Sequence, residues 1–422
     1  MTVRDAETLW LSARMPTDQY LLYCFDAAGV DAAGVDVAAL ARRCAGIADL
    51  RVRVAPVPGN LDYPYWVPMP VSGGHLVEAH VEDWAQVCLR VAELLTRPVD
   101  PTASPWRLHL FRGVVDAPGG PATVAVLQIS HALADGTRAA TIARALFGES
   151  APTEESREWP IPMVARIGWG LLRLPVLTAT TVWRGVRVAR AGSAPRGGGG
   201  GGGMPRTAVN TDAGPRRRVA MIVCERDGLR IGGHTLTVGV LTAISVALNE
   251  YLASRGHASD RLGAEVQVAG EPGTLERNNF RNVGVDLRID EPDLARRAAA
   301  IADALRARRV PGPPAPDAAV RRVLPAPVLR RDVARYPLDV VPPTVTGNTV
   351  VSSVNRGAAD LALGGGRIRF TAGFPALSPA MALTHGVHGI GDTVTVSVVG
   401  SPDVMPDFDE YVQVLRRALR AP

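Results

Sequence analysis

The chain contains no lysine; every basic residue is arginine, and glycine (43) and proline (34) are abundant among its 422 residues. That bias reads as the base composition of a G+C-rich genome and only weakly as function. Cysteine is scarce. Cys24, Cys44, Cys88 and Cys224 are widely spaced in apolar or helical contexts with no C-x-x-C, which argues for reduced core residues over metal ligands or a disulfide framework. No His/Glu/Asp set has the spacing of metal ligands. No G-x-S-x-G elbow is present, which disfavours a Ser-His-Asp hydrolase. The N-terminus has acidic residues and no uninterrupted apolar core, so it does not read as a signal peptide and a cytoplasmic protein is expected. The net charge of +5 is scattered, and no basic stripe interleaved with aromatics suggests a nucleic-acid face. Anionic small molecules or an anionic membrane surface remain as partners.

What the chain does have is apolar residues, 47% of the total, ample for sizeable cores; at this length two domains or subdomains are expected. The glycine run Gly197 to Gly203 cannot hold a single structure and marks the boundary. It is no phosphate-binding loop, since no strand leads in and no Lys-Ser/Thr follows. Residues 122–148 organise the rest. Val124, Val126 and Ile129 predict a buried strand, and Ile142, Leu146 and Phe147 on one side of residues 137–147 predict a helix. His131 falls where the strand ends. Asp135 and Gly136 stand at the helix entrance, where an Asp oxygen can accept from free backbone N–H groups and a glycine lets the chain turn sharply.

Around this stretch, residues 20–25 and 50–57 read as strands, 35–46 and 84–95 as helices, and the proline-rich 62–70 as an ordered loop. Trp106, Leu108 and Leu110 alternate in a strand that ends at Gly113. Residues 160–190 are apolar but cut by Arg166, Arg173 and Arg184, too interrupted to span a bilayer. They either lie on a membrane or lipid surface, with Trp169 and Trp183 at the boundary, or form a helical crossover packed on the protein. In the second half, 216–224, 264–269, 282–289, 349–354, 367–374 and 393–399 read as strands. Helices are expected over 238–252 and 294–305, a short one over 321–329, and a last one after Pro406, with 311–316 a turn-rich break.

The pattern His131-x-x-x-Asp135-Gly136 resembles the active-site motif of the CoA-dependent acyltransferase superfamily, which includes chloramphenicol acetyltransferases, peptide-synthetase condensation domains and bacterial wax ester synthases. Its flanks sharpen the resemblance. An apolar helix, Pro98-x-Asp100, Pro105-Trp106, an alternating strand, a second strand and the histidine motif are similar to the N-terminal half of the bacterial wax ester synthase/diacylglycerol acyltransferase family. Ser352 to Val354, Gly366, Ser378-Pro379, the strand over 393–399 and Pro406-Asp407 are similar to its C-terminal half. Three departures stand out. Ser130 occupies the place of the first of two adjacent histidines, Ser104-Pro105-Trp106 replaces a proline-leucine-tryptophan triplet, and Thr237-Val238 replaces an asparagine-aspartate pair. Valine can neither hydrogen-bond through its side chain nor carry charge.

The resemblance implies an α/β fold of two chloramphenicol-acetyltransferase-like subdomains, each a mixed sheet flanked by helices, with the active site in the cleft between them. Residues 1–190 would form the first, 191–215 a glycine-rich linker and 216–422 the second. It implies an O-acyltransferase that moves a fatty acyl group from acyl-CoA to a lipid alcohol, diacylglycerol or a long-chain alcohol, with acyl-CoA as substrate and no cofactor. Such transfer needs a base that takes the hydroxyl proton and returns it to the departing thiolate. His131 is the only well-placed residue for both steps. Asp135 is expected to be structural, pairing an arginine from another segment, and Gly136 to keep the donor channel open. Ser130, Trp106 and Asn282 are the further cleft contacts considered, with a core role favoured for Trp106 and a turn role an equal alternative for Asn282. Two other classes stay open: a condensation-like enzyme that forms an ester or amide from a carrier-protein thioester, and a catalytically silent relative that binds lipid or a partner.

Overall fold

Strands buried on both faces read as near-continuous apolar runs, and this chain has enough of them for two sheets. The computed structural model describes residues 1–27, 35–149, 161–190, 203–270, 274–309, 318–338 and 340–420. Its first six-stranded sheet runs Ala362–Leu363, Gly366–Gly373, Gln19–Asp26, Ala122–Ile129, Trp106–Val114, Leu76–His80. All neighbours are antiparallel except the last pair, so the sheet is mixed. Helices Val37–Gly46 and Gly136–Phe147 cover one face through Leu40, Cys44, Ile142 and Phe147. Helix Trp84–Leu94 covers the other through Val87 and Val91.

The second sheet runs Phe280–Asp286, Gly263–Ala269, Thr349–Asn355, Leu383–Ile390, Thr393–Gly400, Arg218–Glu225. Thr349–Asn355 lies parallel to both of its neighbours and the other pairings are antiparallel. Helices Leu236–Ala253, Leu294–Arg309 and Phe408–Arg420 pack on it through Ile244, Leu248, Ile301, Leu305, Val412 and Leu415. Leu236–Ala253 is long and apolar enough to cross a membrane by length and composition, yet those same side chains form the second core. A Cβ on its Gly239 would stand 1.8 Å from the Leu229 carbonyl oxygen, so only glycine allows that approach. The architecture is thus two chloramphenicol-acetyltransferase-like α/β units, each a mixed sheet flanked by helices.

Several details differ from the sequence reading. The strand Gly366–Gly373 belongs to the first sheet, not the second: Leu21 faces Gly373 and Cys24 faces Phe370. The buried strand Gln19–Asp26 needs partners on both edges, and this late segment supplies one. Most of the glycine run lies outside the described residues, but 204–215 is no free linker. Met204–Pro205 pairs with Thr344–Val345, and the fully buried Asn210 accepts from Thr207 and from Asn348 Nδ2. Residues 62–70 contain a strand, Tyr65–Pro68, paired with Val52–Ala55; in a two-stranded sheet both members are edges, where a terminal proline is tolerated. The helix expected over 321–329 is two, Ala318–Arg321 and Ala326–Arg335, separated by Pro325. Helix Val3–Ser12 and strand Leu383–Ile390 have no counterpart in the sequence reading, and the break over 311–316 lies outside the described residues.

Residues 160–190 resolve into one helix, Met163–Arg190, with Pro175 inside it. One side packs on the protein: Arg173 reaches Asp62, Thr181 Oγ1 donates to the Val323 carbonyl, and Arg166 lies buried over the Tyr65 ring. The other side leaves Val164, Leu171, Leu172, Val176, Val182 and Trp183 exposed.

Candidate active site

The strand Ala122–Ile129 delivers the histidine motif to a turn. The Ser130 N–H donates to the Pro105 carbonyl at 2.8 Å, and the Leu133 N–H closes back on the Ser130 carbonyl at 2.9 Å. His131 stands in that turn and lines a cavity of about 820 Å³ bounded by both halves of the chain. Gln19 and Leu21 of the first sheet, Glu265, Asn282 and Ser353 of the second, and the helix Val3–Ser12 all face it.

Asp135 caps the next helix: one carboxylate oxygen accepts the Arg138 N–H at 2.8 Å. Its other oxygen accepts the Asn279 N–H at 3.0 Å, and its own N–H donates to the Arg277 carbonyl. Among the described residues the carboxylate's contact to another segment is thus a backbone amide, where an arginine was expected. Arg138 and Arg277 both pair with Asp49, at 2.7 Å each. Burial alone would raise the Asp49 carboxyl, but the two guanidiniums hold it below the usual range. Gly136 lines the cavity where a Cβ would come within 3.1 Å of Val354 Cγ2, so a side chain there would press on the strand that forms the opposite wall.

The segment 277–279 brings the residue that the sequence reading missed. Asn278 Oδ1 sits 2.5 Å from His131 Nδ1, and Asp5 of the first helix fixes the loop by accepting the Arg277 and Asn278 N–H groups. With Nδ1–H donating to Asn278, the lone pair belongs to Nε2, which has no hydrogen-bond partner among the described residues. Burial pushes the imidazole below its ordinary range, and the Asn278 oxygen opposes that push. The Phe280 ring, 5.2 Å from the imidazole, adds an apolar wall. A neutral, oriented imidazole with one free nitrogen on a large cavity can take a proton from a bound hydroxyl. No local pattern in the sequence marks Asn278, because an asparagine in a polar loop ordinarily reads as a turn former.

The remaining site residues divide. Trp106 is fully buried in the first core; its Nε1–H donates to the Leu50 carbonyl at 2.9 Å and its ring stacks on His75, so substrate contact is excluded and the core role stands. Ser130 is fully buried, and among the described residues its hydroxyl has no partner; it does not line the cavity. Asn282 does line it, donating through Nδ2 to Glu265, whose carboxyl burial raises. Thr237 hydrogen-bonds Ser353 on the cavity wall, while Val238 is a residue of the second core. Among the described residues no group of three or more His, Cys, Asp or Glu is placed to hold a metal ion, and all four cysteines are free thiols.

Residues 277–421 match the WS/DGAT C-terminal domain. Among solved structures, the chain is similar to the wax ester synthase/diacylglycerol acyltransferase from Marinobacter aquaeolei VT8, at 19% identity and a TM-score of 0.66, covering 99% of this chain and 96% of that one. It is also similar to a mutant starter condensation domain of rhizomide synthetase solved with C8-CoA and Leu-SNAC, at 15% identity and a TM-score of 0.56, covering 100% and 92%. No curated protein sequence matches it. The family match thus covers the C-terminal third of the chain, and the likeness to these two structures extends over the whole of it as a shared fold.

Proposed function

We propose that the protein moves a fatty acyl group from acyl-CoA to a lipid alcohol, with His131 as general base. The observation that carries this reading is the His131–Asn278 pair: one imidazole nitrogen is tethered and the other is free on a cavity that both sheets wall. In the reaction Nε2 takes the hydroxyl proton as the oxygen attacks the thioester carbonyl. The C–O bond forms, the C–S bond breaks, and the imidazolium returns its proton to the departing thiolate. No covalent acyl-enzyme is required and no cofactor takes part. Asp135 and Gly136 act by position: the first ties the histidine loop to the Asn278 loop, and the second lets the loop approach the strand Thr349–Asn355. The rhizomide domain, which shares the fold, was solved with C8-CoA, and that supports a CoA thioester as donor.

A lipid acceptor must reach the cavity from a membrane or droplet, and the helix Met163–Arg190 suits that boundary. It carries no acidic residue, and Trp169 and Trp183 flank its exposed apolar side with Arg173 and Arg187 over their rings. Attachment in this reading is peripheral and favoured by anionic lipids.

The test is thiol release from acyl-CoA with long-chain alcohols and diacylglycerols, for the intact chain and for His131→Ala. Release that depends on both alcohol and His131 supports the proposal. Near-native turnover in His131→Ala removes the base assignment, and no release with any alcohol leaves a carrier-protein donor or a silent relative.

A further inference from the structure

Arg356 follows the strand Thr349–Asn355 and lines the same cavity as His131, yet it is 3% exposed. Its Nη1 donates to Thr371 Oγ1, and the Tyr23 ring lies 5.1 Å from the guanidinium. Among the described residues its Nε has no acceptor and no carboxylate pairs with it; the Tyr23 hydroxyl also interacts with the guanidinium. Arg4, the other arginine on the cavity wall, pairs with Glu276. Beside Arg356 stands His388, 4% exposed and also on the wall, its Nδ1 enclosed without a partner. Burial and the neighbouring guanidinium hold that imidazole neutral, so it brings no second positive charge. Gly373 makes the room: a Cβ there would stand 2.8 Å from Arg356 Nη2 and 2.6 Å from His388 Cε1.

A guanidinium keeps its charge at every working pH, and a buried charge without a counter-ion is strongly unfavourable. The neutral hydroxyls of Thr371 and Tyr23 are no counter-ion, and Nε is left without an acceptor among the described residues. We infer that Arg356 is the recognition point for a carboxylate on the acceptor, so that the acceptor is a hydroxy acid with its hydroxyl at His131 and its carboxylate at Arg356. A single guanidinium without a counter-ion, beside a neutral imidazole, matches one negative charge better than a phosphate dianion. This narrows the lipid alcohols of the proposed reaction and rests on that reading for the hydroxyl, but not for the anion.

The experiment is calorimetric titration of the intact chain, without acyl-CoA so that nothing turns over, with ω-hydroxydecanoate and with the α,ω-diol of the same chain length. The wild type is expected to bind the hydroxy acid at least about tenfold more tightly, the order a charge-assisted hydrogen bond supplies. Arg356→Gln should bring the ratio close to one, and Arg356→Lys should retain part of it. Equal binding of the two probes by the wild type overturns the inference, as does a folded Arg356→Gln that keeps the preference. If Arg356→Gln fails to fold, Arg356→Lys decides, and an unchanged ratio there overturns the inference. Decyl phosphate binding more tightly than decanoate would overturn the choice of carboxylate. A preference that stands while neither probe accepts an acyl group refutes the transfer reaction and leaves the anion site in place.

Discussion

Replacing Asn278 should separate the histidine's orientation from its chemistry. Its side chain is 1% exposed and has one described partner, His131 Nδ1 at 2.5 Å, so Asn278→Ala deletes that bond and little else. A hydrogen bond of this kind contributes about 0.5–1.5 kcal/mol, and 1.4 kcal/mol is roughly tenfold in a rate. The freed imidazole also exchanges tautomers and spends part of its time with the proton on Nε2, where it cannot act as a base. We expect kcat to fall on the order of tenfold while KM for the alcohol stays within about twofold. The pH profile carries the sharper signature. Burial lowers the His131 pKa and the Asn278 oxygen raises it, so removing Asn278 lowers it further. The base must be unprotonated, so activity is lost as the pH falls through that pKa, and the acid limb of kcat/KM should move to lower pH in Asn278→Ala. Asn278→Asp places a negative charge against the ring and should move the limb to higher pH. Thiol release measured across the pH range reads both effects. An Asn278→Ala enzyme with unchanged kcat and an unmoved acid limb would refute the role given to this residue, and so would a limb that moves upward.

Asp135→Ala removes a helix cap and the bond to the Asn279 N–H, together about 2 kcal/mol, and should lower Tm and activity in parallel; full activity at a lowered Tm would show that the two loops need no tie. Stability should fall as the pH drops from 7 to 6. His109, His385 and His388 are buried with lowered pKa values, so the unfolded chain takes up protons below about pH 6.5 that the native chain does not, at up to about 1.4 kcal/mol per histidine per pH unit. Asp18, which burial raises to about 6, acts in the opposite sense below that pH, so a Tm-against-pH curve should flatten there; a Tm that rises on acidification from 7 would contradict this. Anionic liposomes should co-sediment the intact chain and release a Trp169→Ala/Trp183→Ala double variant; unchanged binding by that variant would assign the helix Met163–Arg190 to packing alone.

The local half of the site was legible because its signals are local. A β-branched run, a histidine and an Asp-Gly pair before an amphipathic helix put the strand within two residues of its place and Asp135 at the N-cap. Asn278, Asp5 and Asp49 were not, since each acts through a partner far along the chain and none sits in a periodic pattern. The strand Leu383–Ile390 escaped for a related reason: it is buried on both faces, and its His385, Gly386, His388 and Gly389 break any alternation. His385 is tolerated there because Thr349 and Tyr411 answer both of its ring nitrogens. Pro175 and three arginines left residues 160–190 open between a surface segment and a packed helical crossover; the helix Met163–Arg190 binds those arginines on its packed side, and its proline stands beside the exposed apolar residues.

The loan of the strand Gly366–Gly373 to the first sheet sets an order on synthesis. When Ile129 has left the ribosome, the strands Gln19–Asp26, Leu76–His80, Trp106–Val114 and Ala122–Ile129 can already pair, but Gln19–Asp26 faces water along one whole edge. At roughly 5–20 residues added per second, the partner for that edge arrives only tens of seconds later. During that wait the nascent chain presents an apolar, hydrogen-bond-hungry border of the kind that recruits a second copy of itself. Chains truncated before Ala362 should therefore aggregate, and co-production of a fragment that begins at Met204 should rescue their solubility by returning the missing strand.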